Sequence, residues 1–219
     1  MITFEDIREN PKIKVLIERG NDVLGVMGYT EHSLQHALKS AENAARILSL
    51  LGFKERDIEL ARIAGFMHDI GNVINRIDHA HSGALMAFEI LNEMKMDQNE
   101  IASVISAIGN HDEATSMPVN SIAAALILAD KSDVRRSRVR NPEFTTFDIH
   151  DRVNYAVQES GITLDIEEKT ASLELQIDNS ICSVMDYFEI FLIRMTLCRR
   201  AAQFLGIKFE LIINGMKLL

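Results

Sequence analysis

The apolar residues of this chain repeat with two different periods, and the change of period limits the folds open to it. Through the first two thirds they recur every three or four residues, the spacing of one face of an α-helix. After Pro142 one more helix is indicated over 148–159, and apolar residues then alternate with polar ones over 162–167 and 173–178. Such alternation predicts short, half-buried β-strands. We therefore expect a mainly α protein with a small C-terminal α+β appendage.

Capping residues and glycines divide the helical part into segments that we interpret as a bundle. Thr3 with Asp6 has the pattern of a capping box at a first helix, whereas Gly20, Gly25 and Gly28 are interpreted as a loop. The longer helices are predicted over 30–51, 58–71, 79–94, 99–112 and 121–138.

The appendage is predicted to contain a β-hairpin, a long helix and one further strand. The polar turn 167–170 joins the two alternating stretches into the hairpin. The helix is expected from Asn179 or Ser180 to Leu205, and the last strand over 208–211. A two-stranded hairpin alone is only marginally stable, so this unit needs a surface to pack on. We expect that surface to be the helical part or a second subunit.

Length and charge restrict the classes of partner. The 219 residues suffice for one large domain with an appendage, and we predict a boundary between a helical domain, 1–147, and the α+β unit, 148–219. A formal net charge of −9 without a basic run argues against nucleic-acid polymers and anionic membranes as partners. A small phosphorylated substrate stays possible, because a bound metal can reverse the local field of a cleft.

The location predicted from the sequence is the cytoplasm. The first residues are not those of a signal peptide, and no stretch approaches the ~20 apolar residues of a membrane span. Cys182 and Cys198 are both placed on the long helix, where they would lie roughly 24 Å apart, too far for a disulfide. A chain without a disulfide framework suits a reducing compartment.

Several His and Asp residues fall in phase with the apolar stripes, which turns them toward the interior. His111 continues the stripe of Ile101, Val104 and Ile108, and Asp130 follows Leu126 at helical spacing. A buried carboxylate is costly unless it is paired or coordinated. Any single one can be explained as a hydrogen-bonded core histidine, a cap or a salt-bridge partner. Their joint occurrence on successive helices favours a metal held between those helices.

The order of these residues resembles the HD-domain superfamily of metal-dependent phosphohydrolases. The resemblance covers about Tyr29 to Arg140 and includes the adjacent pair His68-Asp69 in GFMHDIG. It implies an HD-type helical bundle. The implied metal ligands are His36 in HALKSAENAARILSLLG, His68, Asp69, His79 in HAHSGA, His111 in IGNHDE and Asp130 in LILADKSD.

The resemblance also implies the chemistry. Imidazole and carboxylate ligands suit Mn, Fe, Co, Ni or Zn, and six of them exceed the needs of one tetrahedral ion. We expect two ions per chain with Asp69 as the bridge, and hydrolysis of a phosphate ester in a nucleotide or related small molecule by an activated water. His68, Asp69 and Lys131 are the predicted catalytic residues. Lys131, Arg135 and Arg76 are candidates for contacting phosphate, although each suits a solvated surface charge equally well.

Some alternatives stay open at this stage. His32 lies one helical turn before His36 and competes with it, and His81 competes with His79. Asn72 follows HDIG where one well-known branch of the family has Lys, which removes a cation and argues against assigning that branch's substrate to this chain. No GYP motif follows His111, which argues against cyclic di-GMP as substrate. Two other functions fit: a ligand-sensing or scaffold module with an inactive site, and a di-iron protein that uses O₂. A homo-oligomer formed through the C-terminal unit is also possible.

Overall fold

Nine α-helices dominate the part of the chain that the computed structural model describes, residues 1–113 and 116–219. The helices are α1 (Phe4–Arg8), α2 (Pro11–Val26), α3 (Leu34–Leu50), α4 (Glu55–Met67), α5 (His79–Glu93), α6 (Gln98–Gly109), α7 (Ser121–Lys131), α8 (Ile149–Ala156) and α9 (Val184–Phe204). A 3-10 turn, Ile70–Val73, follows α4. None of the described helices is long and apolar enough to cross a membrane.

Four strands near the C-terminal end form one sheet in the order of the chain. They are β1 (Val157–Asp165), β2 (Thr170–Ile177), β3 (Lys208–Ile213) and β4 (Met216–Lys217). β1 and β2 are antiparallel, as the hairpin prediction requires, and β2 and β3 are parallel. Parallel neighbours need a crossover connection, and α9 supplies it. The mainly α fold with an α+β appendage is therefore confirmed.

Helices α3, α4 and α7 pack against one another in the middle of the helical part. The α3–α4 crossing is close because Gly65 has no side chain: a Cβ there would lie 2.7 Å from the Cα of Ala41. This crossing leaves the rings of His36 and His68 only 5.2 Å apart between centroids. Gly71 permits a second close approach, since a Cβ there would lie 2.1 Å from the carbonyl oxygen of His79. Small residues thus bring the ends of several helices to one place.

The C-terminal unit shares its hydrophobic core with the helices. Helix α9 packs on α7 and α8 as well as on β2 and β3, and β1 contacts α3. The buried side chains of both parts form one continuous apolar cluster. Arg46 of α3 adds a polar link, because its Nη2 donates to the carbonyl oxygen of Ile162 at 2.5 Å. The predicted division at residue 147 stays a prediction.

Several predicted boundaries were wrong, each because tertiary contacts override a local pattern. The helix predicted over 121–138 ends at Lys131, since Arg138 turns back to donate to the Asp133 carbonyl at 2.6 Å. The helix predicted over 148–159 ends at Ala156, because Val157 already pairs with β2. The helix predicted to reach Gly71 ends at Met67, and the following residues form the 3-10 turn.

Two further corrections concern glycines and cysteines. Gly20 and Gly25 lie inside α2, which packs along the 3-10 turn, so that packing outweighs their low helix propensity. Cys182 precedes α9 instead of lying on it, because the helix begins after its cap, Ser183. Both Cys182 and Cys198 are buried free thiols.

Candidate metal centre

Four histidines and two aspartates from five segments meet inside the helical part. They are His36 in the first turn of α3, His68 and Asp69 directly after α4, His79 at the start of α5, His111 just after α6, and Asp130 in the last turn of α7. All six side chains are almost inaccessible to solvent, and Asp130, 11% exposed, is the most open of them. The six residues that sequence reasoning selected are therefore neighbours in space.

Each of the four histidines has its Nδ1 atom beside a group that can only accept a hydrogen bond. For three of them this group is a backbone carbonyl three residues earlier: Gly65 for His68 (2.8 Å), Arg76 for His79 (3.0 Å) and Ile108 for His111 (2.6 Å). For His36 it is the Asp133 carboxylate, 2.8 Å away. Whenever one of these rings is neutral, its proton is therefore on Nδ1 and its lone pair on Nε2. This arrangement is typical of histidines that bind metal through Nε2.

The Nε2 atoms converge on the two carboxylates. His36 Nε2 lies 3.2 Å from Asp130 Oδ1 and 3.6 Å from Asp69 Oδ2, and His68 Nε2 lies 3.1 Å from Asp69 Oδ2. On the other side of Asp69, Oδ1 lies 3.4 Å from His79 Nε2, which is 3.2 Å from His111 Nε2. The two oxygens of Asp69 thus face different histidines.

Two groups of three ligand atoms are compact enough to hold an ion. One consists of His36, His68 and Asp130, and the other of His68, Asp69 and His111, with all atoms of a group within 4.8 Å of one another. Among the described residues, His36 Nε2, His68 Nε2 and Asp69 Oδ2 are buried without a hydrogen-bond partner. Buried polar atoms without partners are costly and rare. A cation coordinated by them would remove that cost, so the donor set fits a divalent transition metal.

The electrostatics of the cluster agree with this fit. Burial alone would lower the pKa of His68, but the charges of Asp69 and Asp130 outweigh it and raise that pKa to about 10. The field at this position therefore attracts a proton or a metal cation. Burial lowers the pKa of His111 well below its usual value, and it also lowers that of His79. Both rings are thus neutral, as a metal ligand must be.

Asp133 is a supporting residue that sequence reasoning missed. Its fully enclosed carboxylate contacts His36 and also Lys39 Nζ at 2.7 Å and Arg135 Nε at 3.0 Å. Burial would raise the pKa of Asp133, but the hydrogen bond and charge of His36 and the charge of Arg138 lower it below its usual range. Its place in ADKSD, one turn after Asp130, was the available signal.

The three candidate phosphate-binding cations lie in different places. Lys131 Nζ is 2.7 Å from Asp130 Oδ2, and Arg76 Nη1 is 3.9 Å from Asp69 Oδ1, so both stand beside the cluster. Arg135 lies behind it, where it contacts Asp133 and Glu31. Lys131 and Arg76 line the cavity that opens onto the centre. Arg135 is not among the described residues that line this cavity.

The two histidines that competed for ligand positions in the sequence, His32 and His81, lie in different environments. His32 lines the same cavity, and its ring lies 5.4 Å from that of His36 between centroids, so both histidines belong to the site region. His81 is half exposed and pairs with Asp78 on the surface. Asn72, which stands where one branch has Lys, donates from Nδ2 to Asp69 Oδ1 at 2.8 Å.

A cavity of about 890 Å³ opens onto the centre, and the C-terminal unit forms part of its wall. Asp69, His79, His111 and Asp130 form its floor together with Lys131. The wall residues from the C-terminal unit are Asp148, His150, Asp151 and Asn154 around α8, and Ile190, Phe191, Ile193 and Arg194 of α9. The sequence contains no motif that assigns these residues to the site.

A family model described as the HD domain matches residues 31–153. The matched stretch contains all six candidate ligands and ends within α8. The crystal structure of a predicted HD superfamily hydrolase from an uncultured Thermotogales bacterium is 27% identical, with a TM-score of 0.43. That match covers 57% of this chain and 70% of the other.

The curated proteins similar to this chain include an uncharacterized archaeal protein and several ribonucleases Y. The uncharacterized protein MJ1020 of Methanocaldococcus jannaschii is 27% identical over 199 residues, which cover 80% of this chain and 76% of that protein. Ribonuclease Y of Oceanobacillus iheyensis is 36% identical over 107 residues, 47% of this chain and 20% of the ribonuclease. Ribonuclease Y of Latilactobacillus sakei is 33% identical over 117 residues, 52% of this chain and 21% of the ribonuclease. The chain thus spans about a fifth of the length of these ribonucleases.

Proposed function

The chain belongs to the HD-domain family, and we propose that it is a metal-dependent phosphohydrolase acting on a nucleotide or a related small phosphate ester. One observation carries the proposal: four Nδ1-anchored histidines direct Nε2 toward two buried carboxylates at the floor of a large cavity. Four rings fixed in this way present Nε2 to the two carboxylates, as metal-binding histidines do.

The residues that would hold metal are the six of the cluster, with Asp69 as the proposed bridge between two ions. Mn, Fe, Co, Ni and Zn are the metals compatible with this donor set. When bound, such ions supply an activated water and neutralise charge on the phosphoryl group. The proposal of two ions is supported by the two oxygens of Asp69 facing different histidines.

The protein's own side chains would orient the substrate. Lys131 is buried and cationic: burial lowers its pKa, but the charges of Asp130 and Glu113 outweigh burial and raise it. A cation held this close to Asp130 can contact a phosphoryl oxygen and help bear its negative charge. Arg76 stands on the opposite side, near Asp69 and Asp112, and can contact the same phosphate from there.

The proposed substrate is a small molecule, and RNA is the alternative to test. Ribonuclease Y, by its name, acts on RNA, and two such enzymes are 33–36% identical to about half of this chain. The formal net charge of −9 opposes binding of a long polyanion. Two buried free thiols suit the reducing cytoplasm, which we propose as the location.

A substrate screen tests this proposal. Purified protein loaded with Mn²⁺ would be assayed for phosphate release from nucleoside mono-, di- and triphosphates and p-nitrophenyl phosphate. Bis-p-nitrophenyl phosphate and an oligoribonucleotide test the diester alternatives, and O₂ uptake is recorded in parallel. We expect hydrolysis of at least one small ester by the wild type and none by Asp69→Asn. If the metal-loaded wild type cleaves nothing, the inactive sensing module becomes the better explanation.

A further inference from the structure

Arg194 brings a cation from the C-terminal unit into the cavity. It lies on α9, its side chain is 20% exposed, and its Nε donates to Glu113 Oε1 at 2.7 Å. The ring of Phe191 lies below the guanidinium, with its centroid 4.2 Å from the central carbon. Contact with an aromatic face and an ion pair together hold the guanidinium in one orientation.

Glu113 connects Arg194 to the candidate metal centre. The same oxygen, Oε1, lies 3.4 Å from Lys131 Nζ, and that nitrogen is 2.7 Å from Asp130 Oδ2. Two cations therefore share one carboxylate beside the centre, with Lys131 nearer to Asp130 and Arg194 farther from it.

The Nη1–Nη2 edge of Arg194 is the part of the guanidinium that could contact a ligand. Within residues 1–113 and 116–219, Nε is the one nitrogen of this side chain that has a hydrogen-bond acceptor. The side chain is 20% exposed and lines the cavity, so a ligand in the cavity can reach it. The Nη1–Nη2 edge of a planar guanidinium matches the geometry of a phosphate group.

We propose that Arg194 binds a second phosphate of the substrate, next to the phosphate that reacts at the metal centre. The reacting phosphate has nearer cations in Lys131 and Arg76, whereas Glu113 separates Arg194 from Asp130. The substrate class would then be esters with two neighbouring phosphates, such as nucleoside di- or triphosphates. This inference rests on the proposed function, and it makes the C-terminal unit part of the substrate site.

Binding measurements on the Mn²⁺-loaded full chain test the inference. One ligand is α,β-methylene-ADP, whose methylene bridge between the two phosphates resists hydrolysis, and the other is AMP. Each is titrated calorimetrically into the wild type and into Arg194→Met. Loss of a bidentate, charge-assisted contact should weaken binding of the ADP analogue about 10- to 100-fold, with AMP binding unchanged. Arg199→Met is the matched control, because Arg199 is an exposed arginine on the same helix, and it should alter neither affinity.

A second variant covers the case in which Arg194→Met alone is unstable. Its substitution leaves the partly buried Glu113 with Lys131 but without Arg194, and the loss of one partner of an ion pair can destabilise a fold. The double variant Glu113→Gln/Arg194→Met removes both partners, and it should fold and show the same selective loss for the ADP analogue. Thermal melts of each variant verify the fold.

Three results would overturn the inference: equal weakening for both ligands, no weakening for either, or no preference of the wild type for the analogue over AMP. The first would place Arg194 at the reacting phosphate, and the second would leave it a tether between α9 and the loop of Glu113. If the wild type hydrolyses nothing but Arg194→Met still loses the analogue selectively, the proposed function fails and the second-phosphate site stands. If the wild type hydrolyses a small ester but Arg194→Met does not lose the analogue selectively, the proposed function stands and the second-phosphate site fails.

Discussion

Asp130 allows the metal hypothesis to be tested on one carboxylate. Its Oδ1 lies 3.2 Å from His36 Nε2, and Asp130→Asn keeps the shape of the side chain but removes its charge. Binding to the folded state stabilises it by RT ln(1 + [L]/Kd), about 2.7 kcal/mol when the metal is at 100 times its Kd. We therefore expect Mn²⁺ to raise the melting temperature of the wild type and to raise that of the variant much less.

The measurement is a pair of thermal melts, with and without Mn²⁺, for each protein. Asp22→Asn is the control, because Asp22 is an exposed partner of Arg19 and is not among the candidate ligands, and its metal response should equal that of the wild type. The quantity to compare is the rise in melting temperature on adding Mn²⁺, because the melting temperature of the metal-free variant also reflects the lost ion pair with Lys131. Equal increments for Asp130→Asn and the wild type would remove Asp130 from the ligand set.

Asp133 should act through His36. Asp133→Asn still offers an oxygen to His36 Nδ1, but Lys39 and Arg135 lose a buried counter-charge. We expect metal affinity to fall about 10- to 100-fold, as when other outer-shell partners of metal-binding histidines are replaced. The loss of a buried charge should also cost about 3 kcal/mol of unfolding free energy.

Competition with a metal-sensitive dye measures that affinity, and denaturant unfolding measures stability. Lys39→Met is the matched control, since it removes one partner of Asp133 and leaves the bond to His36 in place. It should lower stability with little change in metal affinity. Destabilisation of Asp133→Asn with unaltered affinity would mean that Asp133 supports the fold and has no influence on the ligand.

At the level of helices and strands, the sequence predicted the type of each element better than its ends. The hairpin, the long helix and the final strand were predicted from periodicity, because their apolar residues alternate or repeat without interruption. The ends of α7 and α8 were wrong, since Asp133 and Val157 are drawn into contacts with residues far away in the chain. No local pattern contains those contacts.

For the site as well, local sequence patterns predicted some residues, whereas others are brought in by tertiary packing. His68, His79, His111 and Asp130 were selected because they lie in phase with apolar stripes. The order of all six candidate ligands resembled that of the HD-domain superfamily, and this resemblance added His36 and Asp69. Arg194 and Phe191 lie in a helix whose sequence shows no motif, and they reach the cavity only because α9 packs on α7. Asp133 looks like a surface acid until its three basic neighbours are placed around it.

Truncation after Ser160 tests the dependence of the helical part on the C-terminal unit. Helix α9 buries Tyr187, Phe191, Met195 and Leu197, and each fully buried large apolar side chain contributes roughly 1.5–3 kcal/mol. We expect the truncated chain to lose most of its soluble yield, because α7 loses the helix that covers it. Any soluble fraction should still contain metal, since all six candidate ligands precede the cut.

Soluble yield, melting temperature and metal content per chain are the three measurements. Truncation after Gly215 is the control, because it removes the short β4 and the two residues after it but keeps the bonds of Asn214 to Ile177. It should leave all three measurements close to those of the full chain. A soluble truncated chain with the full melting temperature would show that residues 1–160 fold alone. Soluble, folded protein without metal would show that the C-terminal unit contributes to the centre.

For the molecule as a whole, we predict about two transition-metal ions per chain at saturation. The reason is that six ligand-type side chains divide around Asp69, whose two oxygens face different histidines. Elemental analysis of protein dialysed against Mn²⁺, Fe²⁺ or Zn²⁺ measures the ratio, and EDTA treatment should abolish hydrolysis. A ratio of one would remove the bridging role of Asp69, and activity that survives chelation would contradict a metal mechanism.

The six candidate ligands come from five segments between residues 36 and 130, and this has a consequence for the order of folding and metal binding. A partly synthesised chain would have no complete centre until α7 has left the ribosome and packed on α3 and α4. An unfolded chain offers no preformed site, so we expect the ions to bind after the main folding step. Metal should therefore lengthen the lifetime of the native state by slowing its unfolding, with little effect on the rate at which that state forms.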